Sequence, residues 1–140
     1  MTILVVDDHE LFRSSLIVAL KSKGLSEINF LEAPTGKDAL MIFKKQWIDL
    51  VLMDVQMPRM NGYETAAAML EERPNAKIIM LSMIDTIEAE NHFFSLGAKG
   101  YVTKDSNLSK LCEGIKKVLG GGLLFSDEIK DVNSQMEKRD

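Results

Sequence analysis

Apolar residues fall in five short runs, each followed by polar residues and then by a stretch with helical spacing. The first, Ile3-Leu4-Val5-Val6, predicts a strand covered on both faces. After Asp7-Asp8-His9-Glu10, a helix should place Leu11, Phe12, Leu16, Ile17, Ala19 and Leu20 on one apolar side, with Gly24 suited to its C-terminus. A more mixed strand is expected around Ile28-Asn29-Phe30-Leu31. Thr35 and Asp38 have capping-box spacing, so a helix should run to about Gln46, bury Ala39, Leu40, Ile42 or Phe43, and be closed by Trp47.

The third run, Leu50-Val51-Leu52-Met53, ends at Asp54 ahead of a turn marked by Pro58 and Asn61-Gly62. Tyr63 to about Glu72 reads as a helix containing Ala66, Ala67 and Ala68, stopped by Arg73-Pro74. Lys77-Ile78-Ile79-Met80-Leu81 predicts a fourth strand ending at Ser82, and Asp85 with Glu88 marks a helix that ends near Leu96-Gly97. Gly100-Tyr101-Val102-Thr103 predicts a fifth strand, ending at Lys104. Ser106 is then expected to cap an amphipathic helix carrying Leu108, Leu111, Cys112, Ile115, Val118 and Leu119 on one face.

Strand and helix thus alternate five times with short connections, the pattern of a parallel sheet with helices on both faces. Such sheets place ligands outside the carboxyl ends of their strands. The exits here are Asp7-Asp8, Asp54, Ser82 and Lys104, distant in sequence but convergent at one sheet edge. Singly, Asp54 reads as a turn residue, Asp8 as a helix cap, Ser82 as a turn hydroxyl and Lys104 as a solvated charge. Together they imply more. Three carboxylates in one place repel unless a cation joins them, and Mg²⁺ accepts a few carboxylates plus waters and a phosphate. An ammonium and a hydroxyl nearby suit the charge of a transferring phosphoryl group, with Asp54 as the nucleophile forming an acyl phosphate. His9 and His92 read as surface residues, since neither has a Cys or second His at metal spacing.

Composition sets the surroundings. With 140 residues, 46% hydrophobic and 27% charged, the chain suits one soluble globular domain. A net charge of -4 argues against this chain gripping nucleic acid by charge. The single Cys112, placed in the core of the last helix, leaves no internal disulfide and points to a reducing, cytoplasmic setting. Neither a signal peptide nor an apolar stretch near the ~20 residues of a membrane span is evident.

The motifs Val5-Val6-Asp7-Asp8, Met53-Asp54 with Met57-Pro58 and Asn61-Gly62, Ser82 and Lys104 resemble, in order, those of a response-regulator receiver domain of two-component signalling. The resemblance covers about residues 2 to 120. It implies a flavodoxin-like (βα)5 fold, a doubly wound parallel sheet of strand order 2-1-3-4-5. It also implies that Asp54 accepts phosphate from a sensor histidine kinase. Asp8, Asp54 and the backbone carbonyl of Gln56 would ligate Mg²⁺, with Asp7 acting through a water. Lys104 would contact the phosphoryl oxygens, Ser82 would swing in to bond them, and Tyr101 would move with it. Such a domain promotes its own phosphorylation and dephosphorylation without being an enzyme in the usual sense.

Lys104-Asp105-Ser106, where many receivers have Lys-Pro, and Gly120-Gly121-Gly122-Leu123-Leu124-Phe125-Ser126-Asp127-Glu128-Ile129 resemble the NarL/LuxR-like subclass. In that subclass a DNA-binding helix-turn-helix domain follows. Residues 1-121 are therefore expected to form the receiver, and 122-140 a linker or short exposed helix leading to an output domain absent from this chain. Any contact with DNA would run through that domain, and the resemblance also allows a homodimer formed on phosphorylation. The alternative is a stand-alone receiver acting through protein-protein interaction. An aspartyl phosphatase is disfavoured because its Asp-x-Asp is missing, and a flavin or nucleotide binder because no glycine-rich phosphate loop follows the first strand. A pseudo-receiver is disfavoured because every acid, hydroxyl and lysine position is filled.

Overall fold

A computed structural model describes residues 1–57, 61–126 and 129. Its strands are β1 (Thr2–Val6), β2 (Asn29–Ala33), β3 (Leu50–Asp54), β4 (Ile78–Ser82) and β5 (Gly100–Thr103). Between and after them run α1 (Glu10–Leu20), α2 (Gly36–Lys45), α3 (Gly62–Glu72), α4 (Ile87–Leu96) and α5 (Leu108–Leu119). All neighbouring strands are parallel, in the order β2-β1-β3-β4-β5 expected from the sequence.

The consecutive apolar residues of each central strand are explained by two cores, because alternate side chains point to opposite faces. Leu4, Val6, Val51, Met53, Ile78 and Met80 pack with Ala39 and Phe43 of α2, Ala66 and Met69 of α3 and Phe93 of α4. Ile3, Val5, Leu50, Leu52, Ile79 and Leu81 pack on the other face with Ile17 and Leu20 of α1 and Leu111, Ile115 and Val118 of α5. Cys112 lies buried in this second core, where burial pushes its thiol pKa up. No helix among the described residues is long and apolar enough to cross a membrane.

Several boundaries differ from the sequence reading. Leu11 is 85% exposed, and the inner arc of α1 is instead Arg13, Ile17 and Leu20. At 100° per residue Leu11 stands roughly 160° from Arg13, on the outer side. Trp47 does not close α2 against the core; it is 68% exposed and its indole donates to Asp49 Oδ1. The cap of α4 is Thr86, whose hydroxyl accepts from the Ala89 amide. Asn107, not Ser106, caps α5, because the Ser106 hydroxyl is already paired with that of Thr103. Thr35 does cap α2, and Gly24 closes the wide turn Lys21–Leu25 after α1 with φ 104°. Pro58 and the polar tail of residues 127–140, Ile129 excepted, lie outside the described residues.

Candidate functional site at the carboxyl edge of the sheet

Asp7 follows β1, Asp54 ends β3, Ser82 ends β4 and Lys104 follows β5, so the parallel register delivers them to one edge. Lys104 continues the ladder beyond β5, its amide donating to the Ser82 carbonyl at 2.8 Å. Its ammonium then lies 2.9 Å from Asp7 Oδ2 and 3.2 Å from Asp54 Oδ1, over the ring of Phe12. Asp7 and Asp54 are only 1% and 2% exposed, so this is a buried charge cluster and not a surface pair. Arg13 supports it from α1, donating to the Asp7 carbonyl while bound to Glu32.

Asp8 and His9 form the outer rim. The His9 amide donates to Asp7 Oδ1, and its ring nitrogen lies 3.3 Å from Asp7 and 3.2 Å from Asp8. Asp7, Asp8, His9 and Asp54 each present a ligand atom within 4.8 Å of the others, an arrangement that could hold a metal ion. His9 is exposed, as the sequence suggests, yet it borders the acids; its direct succession to Asp7-Asp8 was the signal. The Gln56 amide donates to Asp54 Oδ1, whereas Asp54 Oδ2 is buried without a hydrogen-bond partner among the described residues. A buried carboxylate oxygen left unpaired beside two further carboxylates fits a hard divalent cation.

Burial raises the pKa of Asp54, and the charge of Asp7 adds to it, against the opposing pull of Lys104 and the Gln56 amide. Burial pulls Lys104 down, but its hydrogen bond to Asp7 and the charge of Asp54 outweigh this and leave it raised. Because folded Asp54 holds its proton more tightly than unfolded Asp54, its contribution to stability falls as pH rises from the ordinary carboxylate range through the raised value. Asp54→Asn should therefore raise the thermal midpoint in metal-free buffer at pH 7, with the gain shrinking toward pH 3. Melting curves across that range test this; a lower midpoint at pH 7 would contradict it.

Ser82 and Tyr101 belong to a neighbouring set of contacts joined by Ile84. The Ile84 amide donates to Ser82 Oγ at 3.0 Å, and the Tyr101 hydroxyl donates to the Ile84 carbonyl at 2.5 Å. Tyr101 is buried and stacked on Phe93; burial raises its phenol pKa, with the Ser82 hydroxyl opposing. Asp7, Asp8, Asp54 and Lys104 are thus gathered in one cluster, and Ser82 connects that edge to Tyr101.

A family model described as "Response regulator receiver domain" matches residues 3–116. The transcriptional regulatory protein DegU of Brevibacillus brevis is 32% identical over 127 residues, covering 91% of this chain and 53% of that protein. The chain therefore spans about half the length of that curated relative. A LuxR-family two-component response regulator from Aurantimonas superimposes with a TM-score of 0.84 at 25% identity, over 97% of this chain and 96% of that one. The response regulator TrrA of Thermotoga maritima, solved with Mg²⁺ and BeF, gives a TM-score of 0.73 at 33% identity, over 84% of this chain and 97% of that one.

Proposed function

Because the chain belongs to the response-regulator receiver family, we propose that it is a switch set by phosphorylation of Asp54, fed by a sensor histidine kinase in the cytoplasm. The observation that carries this reading is the buried pair of Asp54 and Lys104, with Asp54 Oδ2 unpartnered among the described residues. An Asp54 oxygen attacks the phosphorus of a phosphohistidine; the new O–P bond forms as the P–N bond breaks, and the imidazole leaves with the electron pair. Lys104, already between Asp7 and Asp54, moves its positive charge onto the phosphoryl oxygens.

Asp8, Asp54 and the Gln56 backbone carbonyl would hold Mg²⁺, with Asp7 reaching it through a water. When bound, the ion supplies positive charge against the oxygens of the transferring group. The Mg²⁺ and BeF in TrrA support this choice of ion. Ser82 Oγ accepts from the Ile84 amide, so a swing of Ser82 toward the phosphoryl group would give up that contact, and Tyr101 would follow because it shares that residue. Transcription control is the output suggested by the relationship to DegU, a transcriptional regulatory protein, and a C-terminal helix-turn-helix domain, as in the subclass that Lys104-Asp105-Ser106 resembles, would deliver it. Phosphorylation could also drive pairing of two copies, and turnover of small phosphate esters forms no part of the function.

Intact-protein mass after acetyl phosphate with Mg²⁺ tests the reading. A labile gain of one phosphoryl group is expected, absent from Asp54→Ala and suppressed by EDTA. Labelling that persists in Asp54→Ala would remove Asp54 from the centre of the mechanism.

A further inference from the structure

The chain does not leave the fold at the end of α5. Gly121, with φ 99°, turns it back along β5. The Leu124 amide donates to the Lys99 carbonyl at 2.8 Å and the Tyr101 amide to the Leu124 carbonyl at 2.9 Å, a parallel bridge on the sheet's edge. The Ser126 amide donates to Glu90 Oε1 of α4 at 2.8 Å, Phe125 packs edge-on to Phe94, and Phe125 and Ile129 are buried.

A seat is built for this segment. A Cβ on Gly100 would lie 2.9 Å from Leu124 Cβ, and the three atoms nearest a Cβ on Gly114 all belong to the Leu124 side chain. Neither glycine has a positive φ, so backbone conformation does not call for them. Glycine in mid-helix is unfavourable, and Gly114 stands within α5. The gap it leaves is filled by Leu124.

We propose that residues 123–126, with Ile129, form a latch seated by Leu124 on Gly100 and Gly114 and released when the Ser82–Ile84–Tyr101 contacts rearrange. This deepens the phosphoacceptor reading and rests on it for the trigger. The link is one residue long: Tyr101 holds Ile84 through its hydroxyl and Leu124 through its amide. Glu90 gives a second hold from α4, which begins directly beyond the Ser82–Ile84 loop. Departure of Ser82 and Tyr101 from Ile84 would loosen both holds and free the chain leading away from the domain. A seat that exists or is lost is the two-state element that such coupling needs.

Amide hydrogen exchange on the full chain with Mg²⁺ tests the seat, the coupling and the trigger separately. Gly114→Val fills the slot without weakening helix formation, and Leu124→Ala empties it without crowding α5. Both should speed exchange at Leu124 and Ser126 by roughly tenfold or more while the amides of β4 and α5 stay protected. Tyr101→Phe should speed exchange at Leu124 in the same direction. Acetyl phosphate should do so in the wild type and add nothing in Gly114→Val. Unchanged exchange in both folded seat variants overturns the seat; unchanged exchange in Tyr101→Phe overturns the coupling. A phosphoryl mass gain without faster exchange overturns release on phosphorylation. Absence of any mass gain counts against the phosphoacceptor reading, and the variant arms then decide the latch by themselves.

Discussion

Lys104→Met is expected to destabilise the metal-free protein at pH 7 by about 3 kcal/mol, the low end for breaking a buried ion pair from one side. The lysine side chain is 13% exposed and its two carboxylate partners 1% and 2%, so solvent cannot take over its role. A surface pair would be worth about 0.2–1 kcal/mol, and that difference makes the test decisive. Removing the ammonium leaves Asp7 and Asp54 facing each other with nothing between them, and Asp54 already holds its proton abnormally tightly. The deficit should shrink as pH falls and Asp54, whose pKa is raised, takes up its proton, and Mg²⁺ should recover part of it by restoring positive charge. In the wild type the raised Lys104 adds stability that is fully present below the ordinary lysine pKa and lost as pH rises through the folded value; the variant lacks that alkaline loss. Urea unfolding with EDTA and with Mg²⁺ measures all three effects. A loss under about 0.5 kcal/mol in EDTA would show that Lys104 does not hold the two strand exits together.

The convergence of these groups was legible because it follows from topology alone. Runs such as Leu50-Val51-Leu52-Met53 have no polar face, so a strand covered on both sides was the consistent reading, and parallel strands bring their exits to one edge. What stayed hidden depends on where an element meets its neighbours. Leu11 is apolar but lies about 180° around α1 from Leu20 at 100° per residue, and the inner arc instead includes a charged residue, Arg13, which reaches the Asp7 carbonyl. Ser106 and Asn107 are both competent caps; a hydrogen bond to Thr103, invisible locally, assigned the role to Asn107. Leu123-Leu124-Phe125 lies between glycines and a charged tail, and periodicity cannot show that Gly100 and Gly114 make room for it.

Gly62→Ala is expected to cost about 2–3 kcal/mol and to impair Asp54 beyond that loss of stability. Gly62 opens α3 immediately after its cap Asn61, and its amide donates to the Val55 carbonyl at 3.0 Å. An added Cβ would stand 2.8 Å from Val55 Cα and 2.9 Å from the Asp54 carbonyl carbon. Both are backbone atoms at the exit of β3, so no rotamer change relieves the contact; α3 or the strand end must shift. The roughly 1 kcal/mol by which alanine favours a helix interior over glycine does not offset such a clash, least of all in the first turn. Because the crowded atoms are the Asp54 carbonyl and the adjoining Val55 Cα, the Asp54 carboxylate should lose its alignment with Lys104. Gly24→Ala is the control: it introduces strain of about 1–2 kcal/mol at a positive φ, with only the mobile Lys116 Nζ nearby. At comparable destabilisation, Gly24→Ala should keep acetyl-phosphate labelling while Gly62→Ala loses most of it. If Gly62→Ala melts and labels like the wild type, the close seating of α3 on the β3 exit does not position Asp54.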